Sequence, residues 1–254
     1  MKKGIYFFCL VLFLISCDKE NISFPEGSLA AYIANNAQLA VSNQLIACAA
    51  GGQRSFLEDS LYPISVFFLP IEDASNFRYF EAPIDVGKED LNQYQERNFR
   101  LEPLFNGYLR RFLHTGIDQE MWGRVTFIAG DSLHVCNAIR MKLLDKPSEF
   151  APQLVDISFP MAATSPKFSW TDGQLKENEI YFQVVSDQAG NLISGTYTYD
   201  THFQFYELSN VVLNIRDINP APTLAPNTTY DFTLMGISID NWVNLIAQKA
   251  FTTQ

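Results

Sequence analysis

Apolar and polar residues alternate with a period of two along much of this chain, in short stretches bounded by turn residues. Ile180, Phe182 and Val184 interleave with Tyr181, Gln183 and Val185. Residues 187–191, Asp-Gln-Ala-Gly-Asn, then turn the chain and 192–197 return it, which predicts a hairpin. Val211, Leu213 and Ile215 predict another strand, and Tyr230, Phe232 and Leu234 are expected to face a core while Asp231 and Thr233 face out. Earlier in the chain, residues 66–69, 77–80, 109–112 and 125–128 read as strands, and Gly130-Asp131 turns the last of them into 133–141. Residues 29–43 and 91–98 suit short helices. Half-buried strands need an opposing sheet, so the pattern predicts an all-β protein built of sandwiches. Pro147, Pro152, Pro160 and Pro166 punctuate one seam, which divides the chain into an immunoglobulin-like sandwich over 29–155 and a second sandwich over 156–254.

The N-terminus has a different pattern. Lys2 and Lys3 precede an almost unbroken apolar run from Ile5 to Ile15, shorter than the ~20 residues that span a bilayer. It ends in Leu14-Ile15-Ser16-Cys17, which resembles a bacterial lipoprotein processing signal. The resemblance implies removal of residues 1–16, lipidation of Cys17 and attachment to a membrane through that lipid. Residues 17–28, with Pro25 and Gly27, read as a flexible tether. Asp18-Lys19-Glu20 is similar to the signals that send Bacteroidota lipoproteins to the cell surface, which implies an outer-membrane, surface-exposed location.

Charge narrows the partners. The full chain carries −10, and loss of Lys2 and Lys3 leaves 16 basic residues against 28 acidic ones, a net charge of −12. Such a chain repels nucleic acid and anionic lipid. The doublets Glu58-Asp59, Glu72-Asp73 and Glu89-Asp90 lack the alternating pattern of a calcium loop. With Cys9 in the signal and Cys17 lipidated, Cys48 and Cys136 remain. An exported pair of this kind either forms a disulfide or stays as two buried thiols, and both readings are open.

Phe168-Ser169-Trp170, Leu224-Ala225-Pro226-Asn227-Thr228-Thr229-Tyr230 and the closing Ala250-Phe251-Thr252-Thr253 together resemble a fibronectin type III domain, over about 158–254. The resemblance implies that Trp170 fills the early core and that Tyr230 makes a tyrosine corner, its phenol bonded to upstream backbone. Asp240-Asn241-Trp242 departs from that pattern.

Candidate chemistry is sparse. Gly130-Asp131-Ser132-Leu133 resembles the nucleophile block of the GDSL esterases, but the one Asp-x-x-His in the chain overlaps Ser132 itself. Ser60 and Ser132 each stand in an Asp-Ser-Leu triplet similar to the O-glycosylation sequon of Bacteroidota. His114, His134 and His202 have no zinc-ligand spacing, and no phosphate or dinucleotide loop is present, so no metal or cofactor is expected. Trp122, Trp242 and Tyr206, with Tyr94, Tyr108 and Tyr199, are candidate ligand-binding aromatics, since flat amphipathic rings receive sugars and proteins alike. The expectation is a non-catalytic binding, adhesion or spacer module whose partner is an envelope protein or a glycan. A surface glycan-binding lipoprotein and an esterase acting through Ser132 are the alternatives.

Overall fold

The computed structural model describes residues 23–52 and 61–254. In the first half, the α-helix α1 (Leu29–Asn35) precedes β1 (Ala40–Leu45), β2 (Ala47–Gly51), β3 (Ile64–Phe68), β4 (Ser75–Pro83) and β5 (Gln95–Arg97). These are followed by β6 (Arg100–Leu104), β7 (Leu109–His114), β8 (Met121–Ala129), β9 (Ser132–Cys136) and β10 (Ile139–Met141). The second half holds β11 (Glu149–Phe150), β12 (Val155–Ala162), β13 (Ser165–Trp170), β14 (Asn178–Asp187) and β15 (Leu192–Thr198). It closes with β16 (His202–Gln204), β17 (Val211–Asn214), β18 (Thr229–Ser238) and β19 (Val243–Thr252).

Among the described residues the strands form four sheets. Sheet I runs β1-β9-β8-β4-β5, with β10 also on β8; sheet II runs β2-β3-β7-β6; sheet III runs β11-β19-β18-β14-β15-β17; sheet IV runs β12-β13-β16. Sheets I and II close one sandwich around Tyr79, Val125 and Phe127 from one side and Ile64, Val66, Phe68 and Phe112 from the other. Sheets III and IV close the second around Phe168, Trp170, Phe203, Phe232 and Leu234. The chain crosses between sandwiches from Met141 to Glu149, because β11 pairs with β19, so the second unit starts a few residues ahead of the expected seam at 155.

The fibronectin type III expectations are met in the second sandwich. Trp170 is buried in the core, and Tyr230 Oη accepts from Ala225 N–H at 2.9 Å, which is a tyrosine corner. Its β12-β13-β16 sheet faces a larger sheet centred on β14, β18 and β19.

The two sandwiches are not beads on a string. Cys48, Phe67 and Leu109 of sheet II pack with Phe182, Val184, Met235 and Ile246 of sheet III in a third apolar cluster, so the four sheets stack in the order I-II-III-IV. Both central sheets are therefore buried on two faces. This explains why β3, Ile-Ser-Val-Phe-Phe, is buried at every position rather than alternating. It also corrects the expected outward facing of Thr233, which is 1% exposed because its face of sheet III meets sheet II. Gln183 is likewise buried, and its amide is satisfied by Thr198 Oγ1 at 2.8 Å and Thr196 Oγ1 at 3.0 Å.

Local sequence accounts for several departures from the expected elements. Ser28 caps α1 through Oγ, which accepts from Ala31 N–H. The expected tether ends in ordered chain: Ser28 N–H bonds Pro25 O and Gly27 O accepts from Glu96 N–H, so residues 25–28 dock on β5. The helix stops at Asn35 because residues 40–45 find a parallel strand partner in β9. The expected helix over 91–98 is replaced by β5, which pairs with β4.

Cys48 and Cys136 are free, and the disulfide reading is overturned. On β2, Ala47 and Ala49 face the first core while Cys48 faces sheet III, so the two sulfurs belong to apolar clusters on opposite faces of that strand. Cys136 Sγ instead accepts from Val125 N–H at 3.0 Å. Burial pushes the Cys48 thiol up to about 12 and the Cys136 thiol up to about 11. Both are expected to resist iodoacetamide at pH 8 in the native chain and to alkylate in denaturant; peptide mapping reads the difference.

The joint is closed by the turn between β18 and β19. Trp242, 0% exposed, lies in the core of the first sandwich although its neighbours in sequence belong to the second. Its Nε1–H donates to Lys146 O at 2.8 Å, and Trp242 bridges in parallel with Ala49 of β2. Asn241 adopts the left-handed φ of 62° that Asn tolerates, so the turn reverses while aiming the indole away from its own sandwich. Ser148 reinforces the seam: its hydroxyl donates to Val243 O at 2.6 Å and accepts from Gly51 N–H at 3.1 Å. Trp242→Ala is expected to cost about 3–5 kcal/mol, seen as a lower urea midpoint. The native chain is expected to unfold in one transition; separate transitions for the two halves would contradict the shared core.

Candidate functional site

Two contiguous cavities lie along the seam. The larger, about 640 Å³, is lined from the first sandwich by Lys88, Glu89, Trp122, Asn137 and Ala138, and from the second by Glu179, Ile180, Tyr199 and residues 237–241. The smaller, about 270 Å³, is lined by Asn43, Gln44, Leu45, Ile46 and Ala47 and shares Asn137 and Asn241 with the first. Together they form one trough whose walls come from both sandwiches.

Each wall has a structural reason. Trp122 stands on the outer face of sheet I, where Met121 points the other way into the core. Its ring packs beside the cluster of Leu29, Tyr32, Phe80 and Tyr94, and its buried Nε1–H has no hydrogen-bond partner among the described residues. Lys88 and Glu89 are held by Arg124, whose guanidinium donates to Lys88 O at 2.9 Å and to Glu89 Oε2 at 2.6 Å, and by Tyr94 Oη, which donates to Lys88 O at 2.8 Å. Tyr199 leaves the end of β15 with 66% of its surface exposed, and Ile239 in the β18–β19 turn is 82% exposed. The register of β1 on β9 shifts between Ser42 and Leu45, which takes Asn43 and Gln44 out of the ladder. Such an irregularity re-aims side chains, and these two amides line the trough.

The floor is fixed by the joint. Asn241 Nδ2 donates to Ala138 O at 3.0 Å, Arg140 N–H bonds Asp240 O at 2.9 Å, and Ala49 N–H bonds Asn241 O at 3.1 Å. The buried Lys142 ammonium meets Asp240 Oδ2 at 2.6 Å, while Ser238 Oγ donates to Asp240 Oδ1 at 2.6 Å. Burial alone would raise the Asp240 carboxyl; hydrogen bonds from Lys142 and Ser238, with the charges of Lys142 and Arg140, outweigh it and hold the group below the usual aspartate range.

The residues singled out from sequence separate. Trp122 lines the trough. Trp242 is withdrawn from the ligand-binding set, because its ring is spent on the first core. Tyr206 is half-buried against the second core, its Oη accepting from Asn214 Nδ2 and donating to Arg216 O. Ser132 opens β9 after the Gly130-Asp131 turn, and its hydroxyl donates to Asp131 Oδ1 at 3.3 Å rather than to an imidazole. His114 is buried, its Nδ1 accepting from Gly116 N–H and its Nε2 bonded to Glu81; His134 stacks on Phe127; His202 lies exposed on β16. Cys17 and Ser60 lie outside the described residues. Among the described residues no helix is long and apolar enough to cross a membrane, and no group of three or more His, Cys, Asp or Glu converges to hold a metal ion. Tyr199, also a candidate ring, lines the trough; sequence reading missed Asn43, Gln44, Asn137 and Asn241, which come from three separate segments.

No family model and no curated protein matches the chain. Among solved structures it is similar to the crystal structure of the chicken CNTN1 FN1–FN3 domains, with 13% identity and a TM-score of 0.29, over 85% of this chain and 68% of that one. The strand order and the tyrosine corner, not that loose superposition, carry the fold assignment.

The Lys142–Asp240 pair gives the seam a pH signature. A carboxyl lowered in the folded state contributes stability that is complete above its unfolded value near 4 and is lost as pH falls through the folded value. Asp240→Asn is therefore expected to lower the urea midpoint at pH 7 and to fall less steeply than the parent chain between pH 4 and 2.5.

Proposed function

We propose that this is a cell-envelope protein, anchored to the outer membrane through lipid on Cys17, that acts as a non-catalytic binding module. Its binding surface is the trough across the seam. The observation that carries the reading is the locked joint: Trp242, Asn241 and Asp240 fix one sandwich against the other, so the groups on the two walls are held in register without a ligand. Preorganisation of this kind spares a binding surface the entropy of ordering it. A tether before residue 25 lets the anchored stack present the trough away from the bilayer.

Two measurements test it. Cys17→Ser is expected to move the chain from the membrane to the soluble fraction and to abolish incorporation of labelled palmitate. The unlipidated Cys17→Ser chain is then expected to cosediment with isolated cell envelopes, and Tyr199→Ala with Asn137→Arg to remove that association while leaving the melting temperature unchanged. Cosedimentation indifferent to both trough substitutions would defeat the reading, as would an esterase activity abolished by Ser132→Ala.

A further inference from the structure

We infer that the ligand of the trough is an uncharged oligosaccharide. The inference rests on the trough being the binding surface, and it follows from the chemistry of the lining. On a chain of strongly negative net charge, this surface is charge-balanced: Glu89 is paired with Arg124, Asp240 with Lys142, and the other two charged lining residues, Lys88 and Glu179, are of opposite sign. A charged ligand would find no net field here. The smaller cavity carries no charged side chain at all; its polar side chains are the amides of Asn43, Gln44, Asn137 and Asn241.

Side-chain amides donate and accept from one planar group, which matches the paired hydroxyls of a sugar ring, each of them donor and acceptor. Trp122 and Tyr199 add the complementary surface, flat amphipathic rings against which the C–H face of a pyranose packs. Rings at one end and amides at the other, continuous through Asn137 and Asn241, suit a linear ligand of several units rather than a single sugar. A peptide strand is the competing occupant. It would need a row of free backbone partners, and the ladder irregularity at Asn43-Gln44 breaks the edge that β1 would offer.

The test uses the full-length chain in a zwitterionic detergent, to avoid sugar headgroups. It is titrated calorimetrically with neutral gluco-, manno-, galacto- and xylo-oligosaccharides of four to six units, with hexuronate oligomers of equal length and with a library of extended peptides. At least one neutral series is expected to bind and to perturb tryptophan emission, because Trp170 and Trp242 are buried in the cores and Trp122 alone lines the trough. Tyr199→Ala and Asn43→Ala are each expected to weaken binding about tenfold, a 1.4 kcal/mol loss, at unchanged melting temperature. Both positions are exposed, so folding is not at stake. Binding of hexuronates or peptides alone, or neutral-sugar binding insensitive to both variants, would overturn the inference. If no neutral sugar binds while envelope association still depends on Tyr199 and Asn137, the ligand class is wrong and the binding module stands; if that dependence is also absent, both fall.

Discussion

The insertion of one indole across the seam organises this molecule. Trp242 belongs by sequence to the β18–β19 turn of the second sandwich and by packing to the core of the first. A fully buried tryptophan brings more apolar area than any other side chain, and its one polar atom must be satisfied, here by Lys146 O. The turn around it is bonded to β2, β10 and the segment between β9 and β10 through Asn241 O, Asp240 O and Asn241 Nδ2. Segments far apart in the chain thus share one core, and the first sandwich is incomplete without the second.

From that contact the layering follows. With the joint closed, sheet II has no free outer face, and its second side is covered by sheet III rather than water. An interface between domains of one chain is ordinarily polar and permits relative motion, whereas an apolar one of this kind behaves as a core. The buried Lys142–Asp240 pair sits at the edge of this region. Removing either partner alone would strand a charge, so the pair adds register more than net stability. The trough lies at the same turn that locks the seam, lined by Trp122 of β8, Asn43 and Gln44 of the irregular β1 and Tyr199 at the end of β15.

The strand pattern was legible because a period of two survives wherever one face meets a core and the other meets water or a polar ladder. Residues 180–185 and 192–197 pair as the hairpin their spacing implies, although both strands are buried on two faces, and Gly130-Asp131 turns β8 into β9; Trp170 and Tyr230 take the places that the resemblance to a fibronectin type III domain implies. The pattern misleads where a strand is buried twice. Thr233 reads as solvent-facing and is sealed between sheets, since a hydroxyl on a strand looks the same whether its neighbour is water or another layer. Trp242 misleads in the same way: an aromatic in a turn resembles a ligand platform until its partner sandwich is in place. Of the trough, Trp122 and Tyr199 were legible, as conspicuous rings. Asn43, Gln44, Asn137 and Asn241 carry no motif, because amides are ordinary in turns and strand ends.

The amino-acid sequence by itself determined the all-β class and the sandwich content, because these depend on local periodicity and short spacing, and its resemblance to a fibronectin type III domain implied the tyrosine corner. Tertiary structure alone decided that Cys48 and Cys136 stay apart, that the sandwiches fuse through Trp242, and that amides from distant segments line one trough. Those outcomes depend on which faces of the sheets meet, and period-two alternation specifies that a face is buried without specifying what buries it.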